Sequence, residues 1–144
     1  MFLGEFARTI DKKGRLALPA KFRDELAAGV VVTRGVDRCL FVFTREKFNE
    51  LAERISALPT ITNPTARTFS RLLFSGAADC VPDEQGRIIL PQYLREYAGL
   101  VDGEVVVVGL HTRLEIWNPE AWEGTRSTLE EDASFAAQFA ELGI

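Results

Sequence analysis

Apolar and polar positions along the chain change period several times. Residues 6–10 and 77–81 are short strand-like runs. Each leads into D-x-x-G, Asp11 to Gly14 and Asp83 to Gly86. There Asp accepts backbone N–H bonds at the start of a tight reversal, and Gly supplies a positive φ. Arg15 and Arg87 open return strands whose apolar runs end at Pro19 and Pro91. These prolines suit a first helical position, where the missing N–H costs nothing. Short helices are therefore expected over about 19–27 and 91–98, with Gly99 as a stop. A hairpin follows each: 30–33 with 39–44, and 104–109 with 113–117. Thr44 and Asn118 stand as N-caps before Phe48 and Trp122. A helix of about 45–58 carries Phe48, Leu51, Ile55 and Leu58 at helical spacing, and Pro59 stops it. A second, 65–74, sets Phe69, Leu72 and Leu73 against Arg67 and Arg71, read as a solvated face. A tail helix of about 126–142 has an acidic start and a stripe of Phe135, Phe139 and Leu142, read as a core contact or a surface for a neighbouring subunit.

These elements recur. D-K-K-G-R-L-A-L-P at 11–19 returns as D-E-Q-G-R-I-I-L-P at 83–91, an offset of 72. Phe22 to Leu26 answers Leu94 to Ala98, and the hairpins answer one another. Two copies are too few for a solenoid. They suit a pseudo-two-fold domain in which each half completes the other's core. The predicted fold class is α+β: two β-turn-β-α-β-β halves forming a compact β-barrel-like unit with additional helices. The halves are assigned to 1–50 and 76–122, the connecting helices to 51–75 and the C-terminal helix to 123–144.

Composition narrows the function. The 144 residues, 47% hydrophobic and 26% charged, fit a globular domain. No apolar run approaches a membrane span, and Glu5 with no apolar core at the N-terminus argues against a secretory signal. Walker A, G-x-G-x-x-G, G-x-S-x-G and H-E-x-x-H are absent from the sequence. The single His111 reads as a hairpin turn residue. Cys39 and Cys80 lack C-x-x-C spacing, so they read as buried free thiols rather than a zinc site. No catalytic residue, metal, cofactor or small-molecule substrate is expected. Net charge is −4, but residues 1–50 carry +3, 51–100 carry 0 and 101–144 carry −7. A basic N-terminal face on an acidic protein remains compatible with nucleic acid.

The repeated motifs, with M-F-L-G-E-F, T-R-G-V-D-R-C-L-F, A-R-T-F-S-R-L-L-F-S-G-A and R-L-E-I-W, closely resemble the MraZ family, built from two SpoVT–AbrB-type halves. The resemblance covers residues 1 to about 122. It implies a nucleoid-associated DNA-binding transcriptional regulator of the division and cell-wall gene cluster, including its own gene. It implies short G-rich direct repeats in double-stranded DNA as the target, and a ring-shaped homo-oligomer. It implies D-x-x-x-R signatures, here Asp11 with Arg15 and Asp83 with Arg87.

Each candidate also has a structural reading. Asp11, Gly14, Asp83 and Gly86 are turn makers, and Arg15 and Arg87 can pair with their own aspartates. The expected DNA-binding set is Arg15, Lys12, Lys13 and Arg8. Lys12 and Lys13 beside Arg15 form a compact cationic tip suited to phosphates. The first turn, D-K-K-G-R, carries +2 and the second, D-E-Q-G-R, −1. The first repeat is thus expected to face DNA, and Arg87 to support the fold or a subunit contact. A second class of reading is an antitoxin-like or scaffold module whose acidic C-terminal third binds a basic partner.

Overall fold

A computed structural model describes residues 1–101, 103–132 and 134–144. Among them the chain runs β1 (Phe2–Thr9), β2 (Arg15–Ala17), a 3-10 turn (Ala20–Phe22), α1 (Arg23–Leu26), β3 (Val30–Arg34), a second 3-10 turn (Val36–Arg38), β4 (Leu40–Thr44), α2 (Arg45–Ser56) and α3 (Pro64–Gly76). The second half follows with β5 (Ala78–Cys80), β6 (Arg87–Ile89), α4 (Gln92–Tyr97), β7 (Glu104–His111), β8 (Arg113–Trp117), α5 (Pro119–Glu131) and α6 (Ser134–Glu141).

The α+β class and the pseudo-symmetry hold, and the strand partners show how the halves combine. One sheet has the order β1-β7-β8-β4-β3-β5, and β2 pairs with β6 in a separate two-stranded ribbon. Exchanging the halves reverses the sheet order and restores it. Leu16 pairs with Ile88, its own counterpart 72 residues on, so the pseudo-two-fold axis passes through the ribbon. β1 pairs with β7 of the other half, and β5 with β3. The strands flanking each D-x-x-G turn thus separate to different partners, joined in the first half by a lone bridge of Ile10 to Leu16. The sheet ends at β1 and β5, and the ribbon covers one core with it rather than closing a barrel.

That core gathers Leu16, Leu18, Phe22 and Leu26 from the first half with Ile88, Leu90, Leu94 and Ile116 from the second, all near-fully buried. Burying one such side chain contributes about 1.5–3 kcal/mol. Phe22 receives Phe2 and Phe6 edge-to-face at 5.3 and 5.5 Å, which fixes β1 over the first short helix. Trp117 and Trp122 meet at 5.5 Å in a smaller cluster with buried Cys39. Burial, with Glu115 nearby, pushes the Cys39 thiol up to about 12. Cys80 is only half-buried, a departure from the expected buried pair.

The capping residues act as expected. Thr44 accepts from the Lys47 N–H at 3.2 Å, and Asn118 from Glu120 and Ala121 at 2.9 and 3.1 Å. Pro19 and Pro91 stand one residue earlier than expected: both occupy N-cap positions, with extended ψ of 134° and 149°. The tail differs more. The helix begins at Pro119, directly after its cap, and breaks at Asp132, whose carboxylate takes the Ser134 N–H at 2.8 Å. Ala133, inside the expected tail helix, lies outside the described residues. Phe135, Phe139 and Leu142 are exposed, so the stripe makes no core contact within the chain.

Candidate nucleic-acid interface

The β2–β6 ribbon has two unlike faces. Leu16 and Ile88 are fully buried on the inner one. Strand alternation puts Arg15, Ala17, Arg87 and Ile89 on the outer one. Arg15 lies opposite Ile89 and Arg87 opposite Ala17, so the two arginines are diagonal neighbours on one surface. Diagonal cross-strand positions are about 7–8 Å apart, within reach of long side chains.

Each arginine is held by the turn that precedes it. In the first turn, Asp11 Oδ1 accepts from the backbone N–H groups of Lys13 and Arg15, each at 2.9 Å. Asp11 Oδ2 accepts from Arg15 Nε at 2.6 Å. The Gly14 N–H donates to the Asp11 carbonyl at 3.0 Å, and Gly14 takes φ +81°. The second turn repeats this bond for bond: Asp83 Oδ1 takes Gln85 and Arg87 at 2.9 Å, Oδ2 takes Arg87 Nε at 2.8 Å, and Gly86 has φ +73°. Both carboxyls are held below the usual range. The leading cause is the backbone N–H of Arg15 or Arg87, reinforced by that arginine's side chain and by the Lys13 or Gln85 N–H.

This geometry leaves each guanidinium able to bind an acceptor pair. Asp occupies Nε, which fixes the guanidinium and leaves its terminal nitrogens for an external acceptor pair. A planar, pre-positioned fork matches guanine O6 and N7, or a phosphate. Arg15 and Arg87 side chains are 32% and 28% exposed, nearly alike. The structure therefore gives Arg87 no supporting role in the fold that Arg15 lacks. The asymmetry between the repeats resides in their tips. Lys12 and Lys13 project exposed from the first turn and, among the described residues, have no ion-pair partner. Glu84 and Gln85 hold the matching exposed positions in the second.

The remaining basic residues separate. Arg8 sits off the ribbon, on β1, where it donates to the Ala7 carbonyl at 2.8 Å and lies 5.6 Å from the Phe6 ring centre. Arg67 is not solvated as expected but donates to the Thr60 and Ile61 carbonyls, each at 3.1 Å, tying the interhelical loop to α3. Arg34 bonds the Leu72 carbonyl, and both Arg34 and Arg38 lie over Tyr97. His111 ends β7 at φ +63°, the turn role expected of it. No group of three or more potential metal ligands occurs among the described residues.

A family model described as "MraZ protein, putative antitoxin-like" matches the chain twice, over residues 1–72 and 73–142. The chain belongs to the MraZ family. The boundary between the two matches falls at the repeat offset read from the sequence. A relative from Roseiflexus castenholzii, named transcriptional regulator MraZ, is 53% identical over 143 residues, covering 99% of both chains. One of the same name from Carboxydothermus hydrogenoformans is 50% identical, covering 96% of this chain and 99% of its own. Another from Salinispora arenicola is 52% identical over 92% of each.

Two further cations lie beside the two turns and escaped the sequence reading. The ribbon swaps the halves, so the Gly14 carbonyl accepts from the Leu90 N–H at 2.8 Å and the Gly86 carbonyl from the Leu18 N–H at 3.0 Å. This brings Arg95 to the first turn, 3.4 Å from where a Gly14 Cβ would stand. Arg23 comes against Gly86 in the same way. Counting each visiting arginine changes the tips from +2 and −1 to +3 and 0. Both lie in the stretches that repeat at offset 72, and that recurrence is the signal that marks them.

Proposed function

We propose that this chain is a DNA-binding transcriptional regulator whose contact surface is the outer face of the β2–β6 ribbon. One observation carries the reading: Arg15 and Arg87 lie diagonally on one exposed face, each aimed by an aspartate clamp of the same geometry. Arginine forks reach guanine edges for specificity, while Lys12 and Lys13 neutralise phosphates and set position. The names of the relatives agree with this class. The function is non-enzymatic. Short G-rich direct repeats upstream of the regulator's own gene, within the division and cell-wall cluster, are the proposed target. Several protomers of a ring-shaped homo-oligomer engage one DNA, so weak contacts combine through effective concentration.

A gel shift with the DNA upstream of its own gene, against a scrambled duplex at the same salt, tests this. Retention of the upstream duplex alone is the expected result. Equal retention of both, or of neither, would overturn it.

A further inference from the structure

We propose that α6 of one copy seats in a groove formed by β4, α2 and α3 of a second copy. A cavity of about 610 Å³ lies here, and no residue of the ribbon lines it. Its floor and walls are apolar: Phe41, Phe43, Leu51, Phe69, Leu72 and Leu73. Cations ring it. Lys47 holds the one lining carboxylate, Glu50, at 3.1 Å. Arg113 pairs with Glu115 behind it at 3.2 Å. Arg34 binds a carbonyl and a serine hydroxyl, and among the described residues neither Arg34 nor Arg54 pairs with a carboxylate.

The same chain carries the complement. Phe135, Phe139 and Leu142 are 63%, 43% and 72% exposed, at the spacing of one helix face. The two phenylalanine rings already meet edge-to-face at 5.1 Å, so the stripe is formed as one surface. No Lys or Arg follows Arg126. Glu130 is bound by Arg126 and Asp132 caps Ser134, which leaves Glu131, the last residue of α5, and Glu141, the last residue of α6, flanking the stripe in sequence. An eight-residue helix is not stable in water by itself. An apolar stripe on such a helix, with Glu141 at its end and Glu131 before it in sequence, matches an apolar groove with a cationic rim. The groove lining includes no residue of the tail, so the chain does not fill its own groove. A second copy supplies donor and acceptor at equal stoichiometry. Such a head-to-tail contact closes into a ring when its rotation permits. The proposal rests on the self-association named above and not on the DNA contact.

The full chain carrying benzoylphenylalanine at position 139 is mixed with isotope-labelled copies and irradiated. A covalent dimer whose cross-links join a labelled to an unlabelled copy at residues 47–54 or 69–73 is expected. In parallel, light scattering follows assembly of Phe135→Glu/Phe139→Glu and of Arg54→Glu, with circular dichroism as the folding check. Each variant is expected to need at least tenfold more protein to assemble. Arg54→Glu combined with Glu131→Arg and Glu141→Arg is expected to recover. Cross-links confined to one copy or mapping elsewhere, or unchanged assembly of the phenylalanine variant, would overturn the groove while leaving self-association standing. A unmodified chain that remains a 16.0 kDa monomer would overturn both.

Discussion

Replacing Arg15 with alanine separates recognition from folding. The lost Arg15–Asp11 ion pair is partly exposed and contributes about 0–1 kcal/mol. The bonds that shape the turn are made by backbone N–H groups of Lys13 and residue 15, so they survive the substitution. A loss of that size lowers the melting temperature of a domain this long by no more than roughly 2–5 °C. DNA binding responds differently. One bidentate guanine contact is worth about 1–3 kcal/mol, roughly 5- to 150-fold per protomer, and the loss multiplies across protomers on one duplex. Arg87→Ala removes the same bonds beside a tip that lacks the two lysines, so the expected defect is smaller with an equally small thermal effect. Fluorescence anisotropy on the upstream duplex at one fixed salt, paired with thermal melting, measures both. Equal losses of affinity from the two variants, both well folded, would refute the asymmetry and favour a symmetric two-handed grip.

Lys12→Ala is expected to weaken upstream and scrambled DNA alike and to flatten the dependence of log affinity on log salt by about 0.9, the value for one phosphate contact; an unchanged slope would remove Lys12 from the interface. Leu16→Ala, at the centre of the ribbon, is expected to cost about 2–5 kcal/mol in denaturant unfolding, because Leu16 is fully buried against Ile88 at the junction of the halves. Acid acts through the clamps. Asp11 and Asp83 have folded pKa values below their ordinary 3.8, so their contribution is complete above the unfolded value and fades as pH falls through the lower folded one. Melting from pH 6 down to about 2 should show extra acid loss in the native chain relative to Asp11→Asn/Asp83→Asn; identical profiles would contradict the clamp.

What the sequence discloses about this fold is local. The Asp-x-x-Gly-Arg turns were legible because the carboxylate, the positive φ and the following arginine lie within five residues of one another. Caps at Thr44 and Asn118 were legible for the same reason. Strand partners were not. β1 pairs with β7 about a hundred residues away, a choice made by burial across the whole core rather than by any short motif. Arg23 and Arg95 were hidden for that reason: each sits in its own short helix in sequence, and only the swap carries it to the other half's turn. The tail stripe leaves two readings open in the sequence, a core contact or a surface for a neighbouring subunit, because a stripe looks the same whether its partner is the same chain or another; only its exposure separates them.

The measurement nearest the central claim is the salt dependence of binding to the upstream duplex by the native chain and by Arg15→Ala/Arg87→Ala. For the native chain, log affinity should fall with log salt at about 0.9 per phosphate contacted, and the upstream duplex should be preferred over a scrambled one. The double variant should keep its melting temperature and oligomeric state, lose the preference, and retain only weak, salt-sensitive binding. A native affinity that does not change between about 50 and 200 mM salt, or a double variant that still prefers the upstream duplex, would contradict the ribbon face as the DNA-reading surface.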